Sequence, residues 1–236
     1  MNAVVAPPRN PSSMMSSGPD FFRRHCFAWI ADHGSFLNLA VGETPQDDVS
    51  ILRNWLGKGY PLIIRRPCVS DDGQSLCLGL ALPPDPAKRR MAFRLPLACI
   101  GKVVEPPLWT DCAAAAPPKI GARVQSILSA AEASQLPVQT FGSFAWQFHT
   151  ALPYVTPHSD IDLLIPITRR ENWRRFQQSM AESPKTHHQV DLEIVLNGDA
   201  SFNWREFGTP GAQLLFKGNR SVWMGDKRDA EALLRD

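Results

Sequence analysis

The fold of this chain is decided by the segment Phe141-Gly142-Ser143 together with the later segment Asp160-Ile161-Asp162-Leu163-Leu164. Residues 136–141 have the pattern of a strand, and this predicted strand ends directly before Gly142. A short helix is predicted from Phe144 to Thr150, and a second strand is predicted at the acidic segment. The order strand, Gly-Ser, helix, acidic strand therefore organises the second half of the chain.

Two acids of the predicted second strand are expected to share one face. Successive strand side chains point to opposite faces, so Asp160 and Asp162 project the same way with backbones about 6.6 Å apart. Carboxylates at that spacing can converge on divalent metal ions that lie ~3.5–4 Å apart, the arrangement used for in-line phosphoryl displacement. This pattern indicates a nucleotidyltransferase active site.

A third carboxylate is expected on a neighbouring strand. The segment 190–194 offers Asp191, which is our first choice, and Glu193 as the alternative. Carboxylates packed within ~5 Å repel one another by about 3 kcal/mol per pair at an effective dielectric near 20. The cluster therefore predicts a metal, and hard oxygen ligands beside a phosphate substrate favour Mg²⁺. By this hypothesis Asp160 and Asp162 bridge two metals, while Asp191 holds the one that activates the attacking hydroxyl.

Phosphate binding is predicted at Gly142 and Ser143. A glycine at the end of a strand lets the backbone approach a ligand, and the following helix offers free N–H groups and a partial positive charge. The Ser143 hydroxyl can donate to a phosphate oxygen. Basic residues must hold the rest of a polyphosphate, and Arg65 and Arg66 are candidates for that role.

The composition is that of an ordinary globular protein. The chain has 236 residues, of which 44% are hydrophobic and 20% charged, with a formal charge of +2 that gives no reason to expect nucleic acid as a partner. Apolar stretches are interrupted well before the ~20 residues that a membrane span requires. Five cysteines are scattered without a pairing pattern, which favours reduced thiols and a cytoplasmic location.

The chain is expected to divide into two domains of α+β class. The predicted parts are a disordered tail at 1–20, a smaller β-rich domain at 21–108, a linker at 109–118, and a nucleotidyltransferase-like catalytic domain at 119–236 with a mixed sheet and flanking helices. Apolar residues at helical spacing predict helices at 45–56 and 119–134. In the second domain a strand at 189–196 is followed by a returning strand predicted at 201–207.

Several longer sequence motifs of the chain resemble those of a known protein family. The blocks Gly142-Ser143-Phe144-Ala145-Trp146-Gln147 and Leu152-Pro153-Tyr154-Val155-Thr156, with Ser159-Asp160-Ile161-Asp162-Leu163, resemble those of the holo-(acyl-carrier-protein) synthase of malonate decarboxylase, also called phosphoribosyl-dephospho-CoA transferase. The resemblance extends over most of 21–236 and includes the segments 24–29, 59–66 and 78–84. The two aspartates of the family's Asp-x-Asp motif fall on Asp160 and Asp162.

The resemblance implies a reaction that the residue pattern alone leaves open. It implies transfer of a phosphoribosyl-dephospho-CoA group from its triphosphoribosyl precursor to a serine of the decarboxylase's acyl-carrier subunit, with diphosphate as the leaving group. From the residues alone, a nucleotidyltransferase that uses ATP or CTP, or that modifies a carrier of the citrate-lyase type, remains an alternative. A non-catalytic module that binds a carrier protein or a nucleotide is a further one.

Overall fold

A computed structural model describes residues 22–31, 46–66, 75–84, 89–116, 118–182, 189–197, 200–211 and 213–236. Within them the fold is of α+β class and contains a five-stranded sheet and a six-stranded sheet. The tail expected at residues 1–20 lies outside the described residues. No helix in the described part of the chain is long and apolar enough to cross a bilayer.

The first domain is built on the five-stranded sheet, which is antiparallel throughout, with the strand order β4-β3-β2-β1-β5. A single described helix, α1 (Gln46–Gly57), accompanies it and buries Leu52, Trp55 and Leu56 in the core of this domain. The strands are β1 (Phe27–Ile30), β2 (Leu62–Ile64), β3 (Ser75–Ala81), β4 (Arg90–Pro96) and β5 (Ile100–Val104).

The second domain is built on the six-stranded sheet, with the order β11-β10-β9-β8-β7-β6. The strands β7 and β8 pair in parallel, and the other neighbours are antiparallel. The strands are β6 (Gln139–Thr140), β7 (Ile161–Ile167), β8 (Val190–Leu196), β9 (Ala200–Asn203), β10 (Leu214–Gly218) and β11 (Val222–Gly225). The helices are α2 (Trp109–Cys112), α3 (Pro118–Ala133), α4 (Gly142–Thr150), α5 (Arg170–Ala181), α6 (Trp204–Gly208) and α7 (Lys227–Ala232).

One face of the second sheet forms the core of its domain. The β7 residues Ile161, Leu163 and Ile165 are fully buried there, against apolar residues of α3 and α5. A parallel pair needs a crossover connection, and α5 provides it between β7 and β8. The alternate residues of β7 and β8, which include Asp162 and Asp191, consequently point to the opposite face.

The predicted helices at 45–56 and 119–134 are confirmed to within one residue at each end as α1 and α3. The strand predicted at 201–207 is wrong in its second half, because β9 ends at Asn203 and α6 follows. The Asn203 side chain accepts a hydrogen bond from the Arg205 backbone N–H at 2.8 Å and so caps that helix.

The two domains are joined by packing as well as by the chain. Trp109 and Cys112, in the segment expected as a linker at 109–118, form a helical turn and are each only 3% exposed within the core of the second domain. Conversely, Trp146 of α4 and Tyr154 beyond it belong to the core of the first domain. The segment that carries the predicted catalytic motif is therefore held by both domains.

Candidate active site

The predicted Gly-Ser corner lies against the second predicted aspartate. Gly142 has a left-handed backbone, with φ of +62°, and a Cβ added to it would overlap the Asp162 carboxylate oxygen Oδ2. Only glycine combines that backbone conformation with so close an approach. The Asp162 carbonyl also accepts hydrogen bonds from the Phe141 N–H at 3.0 Å and the Thr140 hydroxyl at 2.7 Å. The end of β6 and the start of β7 are thus fixed together at the corner.

The third predicted carboxylate stands beside Asp162. In the parallel pair of β7 and β8, Asp162 is in register with Asp191, and Leu164 is in register with Glu193. Neighbouring strands lie about 4.8 Å apart, so the side chains of Asp162 and Asp191 are adjacent on the face that points away from the core. The Asp191 carboxylate also accepts a hydrogen bond from the Asn203 side-chain amide.

Asp160 is positioned by the loop that precedes β7 and is exposed. Gln147 of α4 organises the first part of this loop, since its side-chain oxygen accepts hydrogen bonds from the N–H groups of Tyr154 at 3.1 Å and Val155 at 2.9 Å. Further along, the Thr156 N–H donates to the Ser159 hydroxyl at 2.9 Å. The polar residues of the motif therefore hold the backbone that leads into the first aspartate.

The helix after the Gly-Ser corner is anchored in the first domain. Trp146 of α4 stacks on Tyr154 with ring centroids 5.7 Å apart and packs edge-on against Phe27 of β1 at 5.1 Å. The Tyr154 hydroxyl donates to the carbonyl of Ala81, at the end of β3, at 2.5 Å. The N-cap residue of α4 is Phe141, whose side chain makes no capping hydrogen bond.

Glu193 has a different environment from Asp191. It is 3% exposed and accepts hydrogen bonds from the Lys217 ammonium at 2.7 Å and the Ser201 hydroxyl at 2.8 Å. The Arg24 guanidinium of the first domain lies 3.5 Å from the same carboxylate. Burial alone would raise the pKa of Glu193, but the neighbouring His25 and Lys217 outweigh burial and hold this pKa well below its usual range. Glu193 is thus an ionised carboxylate that links the two domains.

His25 lies between this ionic contact and the glycine corner. Its backbone is left-handed, with φ of 69°, and its ring packs on Phe141 with centroids 4.3 Å apart. Burial lowers the pKa of His25, against the opposing effect of Glu193. Its ring nitrogen Nε2 is 2.9 Å from the Arg24 guanidinium and 3.6 Å from the Glu193 carboxylate.

The two arginines predicted to bind substrate lie in different places. Arg66 reaches the second domain, where its Nε donates to the carbonyl of Gly218 at 3.1 Å. The side-chain methylenes of Arg65 lie over Gly79 of β3, within the sheet of the first domain. Burial and the nearby Arg24 lower the pKa of Arg66. Arg66 is therefore the one of the pair that contacts both domains.

The predicted magnesium site can be tested against the donors present. Asp162 and Asp191 supply adjacent hard oxygen donors, which suit Mg²⁺, and Asp160 lies in the loop that leads into β7. Within the described residues, no three or more His, Cys, Asp and Glu side chains are grouped closely enough to hold a metal ion. The chemistry of the Asp162 and Asp191 carboxylates fits the ion, although the described side chains do not form a three-membered ligand group.

Three residues with roles in this arrangement were missed by sequence reasoning: Arg24, Gln147 and Asn203. Gln147 and Asn203 act through hydrogen bonds to backbone or side-chain groups seven or more positions away, for which no local pattern exists. The one available signal was the run Arg23-Arg24-His25, a basic cluster directly before an apolar strand.

Comparisons with known proteins identify relatives over most of the chain. Residues 23–106 match the family model described as the phosphoribosyl-dephospho-CoA transferase MdcG N-terminal domain, and residues 107–227 match that of the C-terminal domain. A phosphoribosyl-dephospho-CoA transferase of Xanthomonas euvesicatoria pv. vesicatoria is 32% identical over 84% of this chain and 91% of its own length. One of Bradyrhizobium diazoefficiens is 29% identical over 75% of this chain and 79% of its own length. No solved structure matches.

Proposed function

The chain belongs to the phosphoribosyl-dephospho-CoA transferase family, and from this premise we propose that it completes the acyl-carrier subunit of malonate decarboxylase. The donor would be 2′-(5″-triphosphoribosyl)-3′-dephospho-CoA, and the acceptor a serine of the carrier. The observation that carries the proposal is the contact of Asp162 with Gly142 on one side and its register with Asp191 on the other.

The order of elements in the second domain supports a nucleotidyltransferase-like fold. The segments β6, α4, β7, α5 and β8 follow one another so that the Gly-Ser corner lies against Asp162 of β7, which is in register with Asp191 of β8. Such a corner brings the free N–H groups of a helix next to carboxylates, which suits a phosphate substrate with a bound cation.

The reaction forms one bond and breaks one bond at phosphorus. The serine oxygen of the carrier bonds to the α-phosphorus, and the bond from that phosphorus to the oxygen of the departing diphosphate breaks. The hydroxyl proton must be removed as the oxygen attacks. Asp191, on the strand beside Asp162, is the carboxylate proposed to accept it.

The remaining residues of the site bind and orient the donor. The N–H groups at the start of α4 and the Ser143 hydroxyl would hold a donor phosphate. Asp160, Asp162 and Asp191 would hold Mg²⁺, which when bound neutralises charge on the transferred phosphoryl group and on the diphosphate. The loop held by Gln147 keeps Asp160 next to this group.

A carrier-loading assay tests the proposal. The protein is incubated with Mg²⁺, the apo-carrier of malonate decarboxylase and, in separate reactions, the triphosphoribosyl donor, ATP or CTP, and the carrier is weighed by mass spectrometry. We expect a mass increase of one phosphoribosyl-dephospho-CoA group, with the donor only, and none after chelation of Mg²⁺. A shift matching AMP or CMP would instead assign an ordinary nucleotidyltransferase.

Two further reactions separate the remaining alternatives. A citrate-lyase carrier replaces the malonate decarboxylase carrier in the first, and faster loading of it would reassign the acceptor. Asp162→Asn replaces the wild-type protein in the second, and we expect a folded protein that transfers nothing. Unchanged loading by Asp162→Asn, or loading that does not depend on Mg²⁺, would exclude this site as the catalytic one.

A further inference from the structure

Three cationic side chains from three segments of the chain meet between the domains. This inter-domain basic cluster consists of Arg24, which precedes β1, Arg66, which follows β2, and Lys217 of β10. The Arg24 guanidinium donates to the carbonyl of Lys217 at 3.2 Å, and Arg66 Nε donates to the next carbonyl, that of Gly218, at 3.1 Å. Two consecutive carbonyls of one strand thus hold two guanidinium groups side by side.

The cluster carries more positive charge than its surroundings offset. Glu193 is the carboxylate that it contacts, at 2.7 Å from Lys217 and 3.5 Å from Arg24. Among the described residues, Glu193 is thus the one carboxylate within ion-pair distance of these three cations. Arg23 and Glu105, on the other side of the adjoining cavity, pair with each other. Asp162 and Asp191 are close on the same sheet face, but the proposed mechanism assigns them to the metal.

The cations also retain hydrogen-bond donors. Within the described residues Arg66 donates through Nε alone, which leaves its terminal N–H groups for another acceptor. The Lys217 ammonium likewise has N–H groups beyond the one directed at Glu193. Guanidinium and ammonium groups placed together in this way are the usual ligands of phosphate oxygens.

A cavity of about 60 Å³ adjoins the cluster. Its lining includes Arg24, Ser201 and Lys217 together with Leu164 and Pro166 of β7. Glu193, which the cluster contacts, is two residues beyond Asp191 on β8, or about 6.6 Å along the strand. A phosphate here would lie within the reach of a donor whose reacting phosphorus is at Asp162.

We infer that the inter-domain basic cluster is a phosphate-binding subsite for the donor, and that this is how the first domain takes part in the reaction. The inference rests on the proposed function for the identity of the donor. Two phosphate-bearing parts of that molecule share the required chemistry: the triphosphate end, which leaves as diphosphate, and the diphosphate bridge of the dephospho-CoA moiety.

Binding measurements with two probes test the subsite and separate the two sources. Inorganic diphosphate stands for the leaving end, and dephospho-CoA carries the bridge without a triphosphate; each is titrated into the full chain by calorimetry with Mg²⁺ present. The variants are Arg66→Gln and Lys217→Gln. The matched control is Arg175→Gln, which removes one positive charge from the exposed face of α5.

We expect each cluster variant to weaken one of the probes by about tenfold or more, the loss of a charge-assisted hydrogen bond, while Arg175→Gln binds like the wild type. Weaker binding of dephospho-CoA alone assigns the bridge, and weaker binding of diphosphate alone assigns the leaving end. If Arg66→Lys and Lys217→Arg bind the probe more tightly than the glutamine variants, the positive charge of these side chains, and not only their shape, contributes to binding.

Unchanged affinities for both probes, in variants whose thermal unfolding matches the wild type, would overturn the subsite and leave a purely structural contact. If one glutamine variant fails to fold, the other decides, because both cations belong to the same cluster and unchanged affinities for both probes in it would overturn the subsite. If the wild-type protein loads the carrier normally and the variants have the wild-type KM for the donor, the subsite is rejected and the proposed function stands. A wild-type protein that loads nothing rejects the proposed function.

Discussion

The Asp162 carboxylate lies directly against the α-carbon of Gly142, so that no side chain fits between them. The contact joins a strand of the second sheet to the start of the helix that the first domain anchors. Any displacement of α4 must therefore move the glycine relative to the aspartate.

Replacing Gly142 by alanine should abolish transfer while leaving the protein folded. The new Cβ would overlap Asp162 Oδ2, and the left-handed backbone adds about 1–3 kcal/mol of strain. Gly211→Ala is the matched control, since Gly211 has a similar φ of +68° but open space around its α-carbon. We expect carrier loading to fall by about a hundredfold or more in the first variant only. Equal losses in both would show that backbone strain alone is responsible.

Replacing Asp191 or Glu193 by the corresponding amide should have different effects, on transfer in the first case and on stability in the second. Asp191→Asn is expected to remove transfer with little change in the free energy of unfolding, because the Asn203 amide is its sole hydrogen-bond partner among the described residues. Glu193→Gln breaks a buried ionic contact and should cost about 3 kcal/mol of stability. Urea unfolding and carrier loading are measured on both. Loss of transfer with full stability in Glu193→Gln would make Glu193 the third carboxylate instead.

The stability of the protein should depend on the ionisation of Glu193. Because the pKa of Glu193 is lower in the folded state than its ordinary value of 4.5, its contribution is complete above that value and is lost as the pH falls below it. Urea unfolding at several pH values from about 5 down to 3 should therefore show a shallower pH dependence in Glu193→Gln than in the wild type. Identical slopes would contradict the assignment of an ionised Glu193.

Gln147 should act as a positioning residue for the loop that carries Asp160. Gln147→Ala leaves the N–H groups of Tyr154 and Val155 without their acceptor, at a cost of about 1–3 kcal/mol. We expect kcat to fall by about tenfold or more with a smaller change in the donor KM, and Gln147→Glu, which keeps the acceptor oxygens, to recover much of it. The exposed Gln178→Ala on α5 is the control. A pure loss of stability with normal kcat would refute this role.

Trp146 should couple the unfolding of the two domains. It is 4% exposed, and its removal from the core of the first domain should cost about 3–5 kcal/mol. Phe148→Ala, two residues along the same helix and 44% exposed, should change stability by only about 0.5 kcal/mol. Calorimetry should show one transition in the wild type and a lower, broader or split transition in Trp146→Ala. A single sharp transition at the wild-type temperature would argue against a shared core.

Local patterns were sufficient for most of the elements around the site. Asp162 of β7 lies between Ile161 and Leu163, which prove to be fully buried, so the two-residue period placed Asp162 on the face away from the core. The error at residues 201–207 has a local cause as well. Asn203 ends β9 by capping α6, and a side-chain cap competes with strand pairing in a way that apolar periodicity does not reveal.

Only the tertiary structure decided which residues of β7 and β8 lie side by side and which residues link the two domains. The sequence favoured Asp191 and kept Glu193 as the alternative on the same strand face; the parallel pairing of β7 with β8 sets Asp191 beside Asp162, while Glu193 contacts Lys217 and Arg24. Pairing across a crossover helix depends on how α5 packs, not on the residues of either strand alone. The sequence by itself thus determined which side chains of a strand share a face, because the backbone geometry of a strand points successive side chains to opposite faces. Which of them meet was fixed by packing between segments far apart in sequence, which no local period encodes.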